Sequence, residues 1–459
     1  MNTGQCIDTS PKNRISKSNM PLQYLKHLAT GLCIACTCSL AVADTTTKPQ
    51  PNIILILVDD MGYADVSCYS NDKHVKTPNI DKIADAGMKF TSGYVSGLQC
   101  APTRAGLLSG KYQQRFGFYH NRDVFNKLFL PQVTMPQVLK KSGYRTGMIG
   151  KWHLGRSQEA EYPHRRGFDE FYGFLYGMRG YLAPAKGGCL MRNNEPVKEH
   201  FGYLTDFLNR EAVSFVNKHS GKTPFFLYVA YNAPHYPLEA KEEYLKQYNT
   251  GNPDRDKQLA MMASVDEGVG LILDALKKND QYDNTMVIFL NDNGGEPKRG
   301  ASNGKLREGK NSLYEGGPRV PFAVSWPAKI KAKQISSIPV TSLDLFATTV
   351  DVAGGKMPTD TTFDSKSMLP ILFGKTDKPN HETLFWQQTR EGWALRHKNW
   401  KLISPKEKAK AGKLELYDLA TDVSETTDLA DKHPDIVKKL HALYKEWHSK
   451  NDPKASVRM

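Results

Sequence analysis

Apolar residues in this chain gather into short unbroken runs, and each run stops at a cluster of polar residues. Asn52-Ile53-Ile54-Leu55-Ile56-Leu57-Val58 is the first, ending in Asp59-Asp60-Met61-Gly62. Continuous runs of this length predict strands buried on both faces. Tyr144 to Ile149 leads into Gly150-Lys151-Trp152-His153-Leu154-Gly155, Pro224 to Val229 ends near Pro234-His235, and Thr285 to Leu290 ends in Asn291-Asp292-Asn293-Gly294-Gly295. Lys89 to Val95 and Val320 to Trp326 predict two further strands. Helical patterns lie between them: Thr77 to Gly87, with cap, proline and closing glycine, then Met135 to Ser142, Tyr203 to Lys218, Asp256 to Lys277 and Ser342 to Val352. Strand–helix alternation predicts an α/β protein with a large, mostly parallel, doubly wound sheet flanked by helices. Ligands bind beyond the carboxyl ends of such strands. The four polar strand ends are therefore expected to converge on one edge of the sheet.

After about Lys375 the pattern changes. Glu382 to Trp386, Gly392 to Arg396, Trp400 to Ile403 and Leu414 to Tyr417 are short and alternating, and Ile436 to Trp447 is helical. These predict a smaller C-terminal domain over 376–459, an antiparallel sheet with one helix, beside a main domain over 44–375. Trp386 and Trp393 are assigned to its core, and the lysine-rich stretch Lys406 to Lys413 to a solvated hairpin turn.

The first 43 residues differ in kind. Lys12, Arg14, Lys17 and Lys26 precede an apolar run from Leu28 to Val42 that closes on Ala41-Val42-Ala43, the form of a cleaved secretory signal. Translation starts at Met1 or Met20. The expected product is exported, periplasmic or secreted, with no integral membrane span, because no run of about 18 apolar residues exists. Of seven cysteines, Cys68, Cys100 and Cys189 stay with the mature chain. An odd number in an exported protein leaves one thiol for a special use, and a Cys68–Cys189 bridge is open. The formal charge is +14; four basic side chains and one acidic leave with the leader, taking it to +11. A basic surface concentrates anionic ligands. With no nucleic-acid-binding signature, a sulfated or acidic polysaccharide is the favoured polyanion.

Cys100-Ala101-Pro102-Thr103-Arg104-Ala105-Gly106-Leu107-Leu108-Ser109-Gly110 predicts a helix opening directly after the cysteine. Its N-terminus favours an anion, and Arg104 adds a forked donor. Asp59, Asp60, Asp292 and Asn293 offer oxygen donors that suit a hard divalent cation, calcium ahead of magnesium. No zinc spacing is present. Cys100 lies within no Cys-x5-Arg phosphate loop, since position 106 is glycine, and a Cys–His protease needs no such metal. His153, His235, Lys151 and Lys310 (in Gly309-Lys310-Asn311-Ser312) complete a set able to cleave an ester of a tetrahedral anion.

Cys100-Ala101-Pro102-Thr103-Arg104 resembles the Cys-x-Pro-x-Arg signature of type I sulfatases, members of the alkaline phosphatase superfamily. Ser109 stands where that family more often has threonine. Asp59-Asp60-Met61-Gly62-Tyr63, Gly150-Lys151-Trp152-His153-Leu154-Gly155, Asn291-Asp292-Asn293-Gly294-Gly295, Tyr314-Glu315-Gly316-Gly317 and Leu416-Tyr417-Asp418-Leu419 follow in the family's order. The resemblance implies that Cys100 is oxidised by a maturation enzyme to Cα-formylglycine, whose hydrate attacks sulfur. It implies calcium held by Asp59, Asp60, Asp292 and Asn293 together with residue 100. Arg104 would steady the diol, Lys151 and Lys310 would clamp sulfate, His235 would protonate the leaving alcohol, and His153 would take the proton that expels sulfate. The implied substrate is a sulfated oligosaccharide or polysaccharide, or an aryl sulfate. Tyr119, His120, Arg122, His164, Arg165 and Arg299 are candidates for reading the sugar. The alternatives are a phosphate or phosphonate monoester hydrolase on the same scaffold and a non-enzymatic protein that binds sulfated glycans.

Overall fold

The computed structural model describes residues 50–126, 129–183, 188–197, 202–388, 392–405 and 413–451. The leader and most of the Lys406–Lys413 turn lie outside the described residues. Ten strands form one sheet. From one edge the order is Gln334–Ser336, Gly87–Phe90, Phe322–Ser325, Thr285–Asn291, Asn52–Val58, Phe225–Ala230, Arg145–Lys151, Glu170–Phe174, Met191–Arg192 and Glu195–Pro196. Phe322–Ser325 and Met191–Arg192 run against the rest. The expected parallel sheet thus stands, with antiparallel strands inserted towards its edges.

Asn52–Val58 is buried at every position, and its side chains alternate between two cores. Ile53, Leu55 and Leu57 pack with Ala105 and Leu108 of the Cys100–Ser109 helix, Val138 of Met135–Lys141 and Phe346 of Asp344–Val352. Ile54, Ile56 and Val58 pack on the other face with Leu208 of the Leu204–His219 helix and Val265 of Pro253–Lys278. Burying each such aliphatic side chain contributes about 1.5–3 kcal/mol. Two apolar faces do not fix register by alternation; the polar ends do. Leu290, Leu57, Ala230 and Gly150 stand side by side across four adjacent strands, so the residues that follow them leave the sheet along one line.

Two expectations change. Lys89 to Val95 is not one strand: Gly87–Phe90 belongs to the large sheet, while Gly93–Tyr94 pairs with Val340–Thr341. The fifth parallel strand, Glu170–Phe174, carries three aromatics and a glycine in place of an aliphatic run, and the periodicity did not single it out. Cys68 is a free thiol, so no Cys68–Cys189 bridge forms. Burial, reinforced by Asp81, pushes that thiol up to about 12.

A second sheet, Thr383–Gln387, Trp393–His397, Trp400–Ser404 and Glu415–Asp418, is an antiparallel meander. One face packs on Leu440, Tyr444 and Trp447 of the Pro434–Asn451 helix, with Trp393 stacked on Tyr444 at 3.8 Å. The other face, through Trp386 and Ile403, packs on Tyr94, Leu98 and Tyr314. Both tryptophans are core residues, as expected. Beneath this face lies a buried charged cluster. Lys401 sits 2.8 Å from Glu315 and 3.0 Å from Glu425, while Arg319 reaches Glu315 at 3.1 Å and Tyr94 donates to it at 2.6 Å. Despite burial, Lys401 and Arg319 hold the Glu315 carboxyl down to about 2. Burial pushes Glu425 up to about 7.

Candidate active site

The four polar strand ends meet at the carboxyl edge of the central strands, as their spacing predicts. Helix Cys100–Ser109 points its N-terminus at them, beginning at the cysteine itself with Gln99 as cap. Cys100 is 0% exposed, and its Sγ donates to Asp59 Oδ1 at 3.2 Å and lies 3.9 Å from Asp60 Oδ1. Burial disfavours a thiolate, but Lys151 and Lys310 outweigh it and bring the thiol down to about 7.

Three cationic groups face the two aspartates. Lys151, wholly buried at the end of its strand, pairs with Asp59 Oδ2. Lys310 Nζ lies 2.5 Å from Asp60 Oδ2, and His235 Nε2 lies 3.4 Å from the same oxygen. Burial opposes protonation of His235, yet Asp60 and Asp59 push it up to about 9. Arg104 is also buried: its Nε and Nη2 donate to Asp292 Oδ2 at 3.0 and 2.8 Å, and Nη1 donates to the Lys151 carbonyl at 2.9 Å. Arg104, expected to steady a diol, is in the structure the strut that orients Asp292 and the end of the Lys151 strand. His153 takes a left-handed backbone conformation with φ 56°. Burial, then Lys151 and Arg104, hold its imidazole well below the usual range. Gly177 lies against the His153 ring; a Cβ there would meet Nε2 at 2.3 Å.

The oxygen donors fit a hard cation. Ligand atoms of Asp59, Asp60, Cys100 and His235 lie within 4.8 Å of one another. Asn293 donates its amide to Asp60 Oδ1 at 2.8 Å, while its own Oδ1 is buried and unpartnered. Burial and the charge of Asp59 push Asp292 up to about 7, and burial raises Asp59. Crowded carboxylates and an orphaned amide oxygen together are what a divalent cation would satisfy.

Several organising residues carry no sequence periodicity and were not anticipated. Asn291 accepts from Met61 N at 3.3 Å and donates to Met61 O at 2.5 Å, tying two strand ends. Asn303 accepts from Tyr63 N and Gly295 N, and Asp65 accepts from Gly62 N and Ser302 N. Gly294 allows the loop that carries Lys310 to approach, since a Cβ would meet the Gly316 carbonyl at 1.6 Å. Their only sequence signal is Asn, Asp and Gly clustered after apolar runs.

The sugar-reading candidates scatter. His164 and Arg165 pair with Glu159 on the surface. Backbone N–H groups of Tyr119 and His120 bind Asp123, and Arg122 is exposed. Arg299 alone lies over a residue adjoining the site, 4.2 Å from the Tyr236 ring, with Glu296 at 3.0 Å.

Comparison with known proteins agrees with this geometry. The sulfatase family model matches residues 51–355, and the model of the N-sulphoglucosamine sulphohydrolase C-terminal region matches 309–450. The chain is 30% identical to the uncharacterized sulfatase YdeN of Escherichia coli K12, over 90% of this chain and 88% of that one. It is 35% identical to N-acetylgalactosamine-6-sulfatase of Rattus norvegicus, over 71% of this chain and 66% of that one. The crystal structure of Ps i-CgsB in complex with k-i-k-neocarrahexaose superposes with a TM-score of 0.82 at 36% identity, covering 89% of this chain and 94% of that one. The chain belongs to the type I sulfatases of the alkaline phosphatase superfamily and is a sulfatase.

Proposed function

We propose that this sulfatase is exported through its leader to the periplasm or medium, where it removes sulfate from a galactan- or glycosaminoglycan-like carbohydrate. The reading rests on one observation: Cys100, two lysines, two histidines and a buried acidic cluster share a single strand-end site. One relative is named for N-acetylgalactosamine 6-sulfate and one structural neighbour was solved with a neocarrahexaose, which supports a sugar sulfate.

Cys100 is read as the precursor of Cα-formylglycine, made by a maturation enzyme that recognises Pro102 and Arg104. A hydrated aldehyde at residue 100 would supply two hydroxyls on one carbon, one able to attack sulfur and one whose deprotonation would expel sulfate. Asp59, Asp60, Asp292 and Asn293 would hold calcium beside residue 100, which would supply Lewis-acid stabilisation of negative charge there. Lys151 and Lys310 bind sulfate oxygens through donors already fixed in place. His235, whose Nε2 lies 3.4 Å from Asp60 Oδ2 at the mouth of this cluster, would give its proton to the leaving alcohol. His153, kept neutral, is free to accept one.

Active protein should weigh about 18 Da less than the unmodified chain, the loss mapping to Cys100, when intact and peptide masses are compared. The same sample should turn over an aryl sulfate in preference to the matching aryl phosphate; a preference for phosphate refutes the assignment. Chelation should lower both turnover and melting temperature, because a ligand that binds only the folded state stabilises it. Calcium should restore both more fully than magnesium, and activity indifferent to chelation would remove the metal from the reading.

A further inference from the structure

A pair of aromatic rings beside the site holds an arginine that the reaction described above does not use. The Arg156 guanidinium lies 4.1 Å from the ring centroid of Tyr176 and 5.2 Å from that of Phe125. Among the described residues no carboxylate pairs with it. Of the other guanidinium groups stacked on exposed surface, Arg192 and Arg299 each have a glutamate partner, while Arg210, over the Phe207 ring at 4.6 Å, has no carboxylate partner among the described residues. Arg156 differs from it in lying between two rings. Stacking occupies the faces of a guanidinium and leaves its in-plane N–H donors open to an anion.

Both supports of Arg156 are tied to the catalytic centre. Tyr176 directly precedes Gly177, whose backbone abuts the His153 ring. Phe125 lies in the Asn121–Asn126 turn, and Asn121 Oδ1 accepts from Ala101 N at 3.0 Å, on the first turn of the Cys100 helix. Arg156 itself follows His153 by three residues. Large apolar side chains also gather here. Phe125 is 53% exposed, and Met178, Leu182 and Tyr236 stand exposed on segments bound to the site, since Tyr181 donates to the Asn232 and His235 carbonyls at 2.7 and 2.8 Å. Exposed aromatics next to an unneutralised cation form a surface on which a pyranose ring can lie flat while its anionic substituent meets the guanidinium.

We propose that Arg156, with Phe125 and Tyr176, is a second anion subsite that binds a sulfate on a sugar neighbouring the one being desulfated. The proposal rests on the carbohydrate reading and deepens it: the substrate is a glycan with sulfate on adjacent residues. The reacting sulfate meets Lys151 and Lys310, and the neighbouring one meets Arg156. Binding through Arg156 involves no covalent step, so its loss falls on affinity and spares the chemistry.

Calorimetric titration of the calcium-loaded enzyme with dextran sulfate tests this without any need for turnover, so it fails or succeeds independently of the identity of the natural sugar. Arg156→Ala is expected to weaken binding about tenfold and leave kcat/KM for a small aryl sulfate unchanged. Lys278→Ala, which removes the same charge from an exposed helix end, should change binding less than about twofold. Arg156→Lys, which keeps charge but loses the stacked fork, should fall between wild type and Arg156→Ala. Equal losses from Arg156→Ala and Lys278→Ala would reduce the effect to general charge and overturn the subsite. A parallel fall in aryl sulfate turnover would also overturn it, placing Arg156 in the catalytic site. Equal affinity of wild type for dextran sulfate and for polyphosphate would refute recognition of a sulfated sugar.

Discussion

Replacing Cys100 by alanine should lower steady-state turnover of an aryl sulfate by about 10⁴-fold or more, the scale on which a removed nucleophile is felt. The fold should hardly notice. Alanine is the best helix former, and what is lost is the thiol's contacts to Asp59 at 3.2 Å and Asp60 at 3.9 Å. With calcium chelated, the melting temperature should therefore stay near that of chelated wild type, whereas the calcium-loaded variant, short of one proposed ligand, should gain less from the ion. Serine is the sharper comparison. It keeps a hydroxyl at the helix N-terminus between Lys151 and Lys310, but a single hydroxyl leaves no second oxygen to expel sulfate, so Cys100→Ser should not sustain turnover either. Retention of more than about a tenth of wild-type rate by Cys100→Ala would end the case for residue 100 as nucleophile.

The second large effect is expected far from the reacting atoms. Lys401 is wholly buried between Glu315 and Glu425, and Lys401→Ala would leave two buried carboxylates sharing no lysine. Breaking a buried ion pair by removing one partner costs about 3–5 kcal/mol, which a urea titration would read as a shift in midpoint at constant slope. Converting Lys401→Met together with Glu425→Gln, which leaves Glu315 paired with Arg319, should recover much of that loss, because the penalty lies in unpaired charge. A Lys401→Ala variant as stable as wild type would mean that water reaches this cluster. Activity should fall with stability here, since Glu315 shares its loop with Lys310.

What the sequence made legible follows from physical range. Asn52 to Val58 and Thr285 to Leu290 are runs that only a doubly covered strand accommodates, so their existence, neighbourhood and polar ends could be read directly. The convergence of Asp59, Lys151, His235 and Asp292 then followed from parallel strands sharing one edge. Glu170–Phe174 escaped because aromatics and Gly173 in a short strand carry no aliphatic signature. The contacts that orient the site, Asn291 on Met61 and Arg104 on Asp292, join residues some two hundred positions apart, and no local pattern encodes them. The Arg156 stack is equally non-local, since Phe125, Arg156 and Tyr176 look unremarkable one at a time. The salt-bridged cluster under the second sheet also escaped: Lys401 sits in an alternating strand where a solvated lysine is the ordinary expectation, and only packing against Glu315 reverses that.

The Cys100–Ser109 helix has every residue buried, and this would set a clock on the maturation proposed for Cys100. A modifying enzyme must grip Cys100, Pro102 and Arg104 together in its own cleft, which the finished protein cannot offer without opening its central layer. On the proposed reading, conversion would belong to the interval between synthesis and folding, and the two processes would race. A copy that folds first keeps its thiol for as long as it stays folded, stable and inert. The active fraction of any preparation then reports a ratio of rates, and slowing folding would raise it as surely as supplying more of the modifying enzyme.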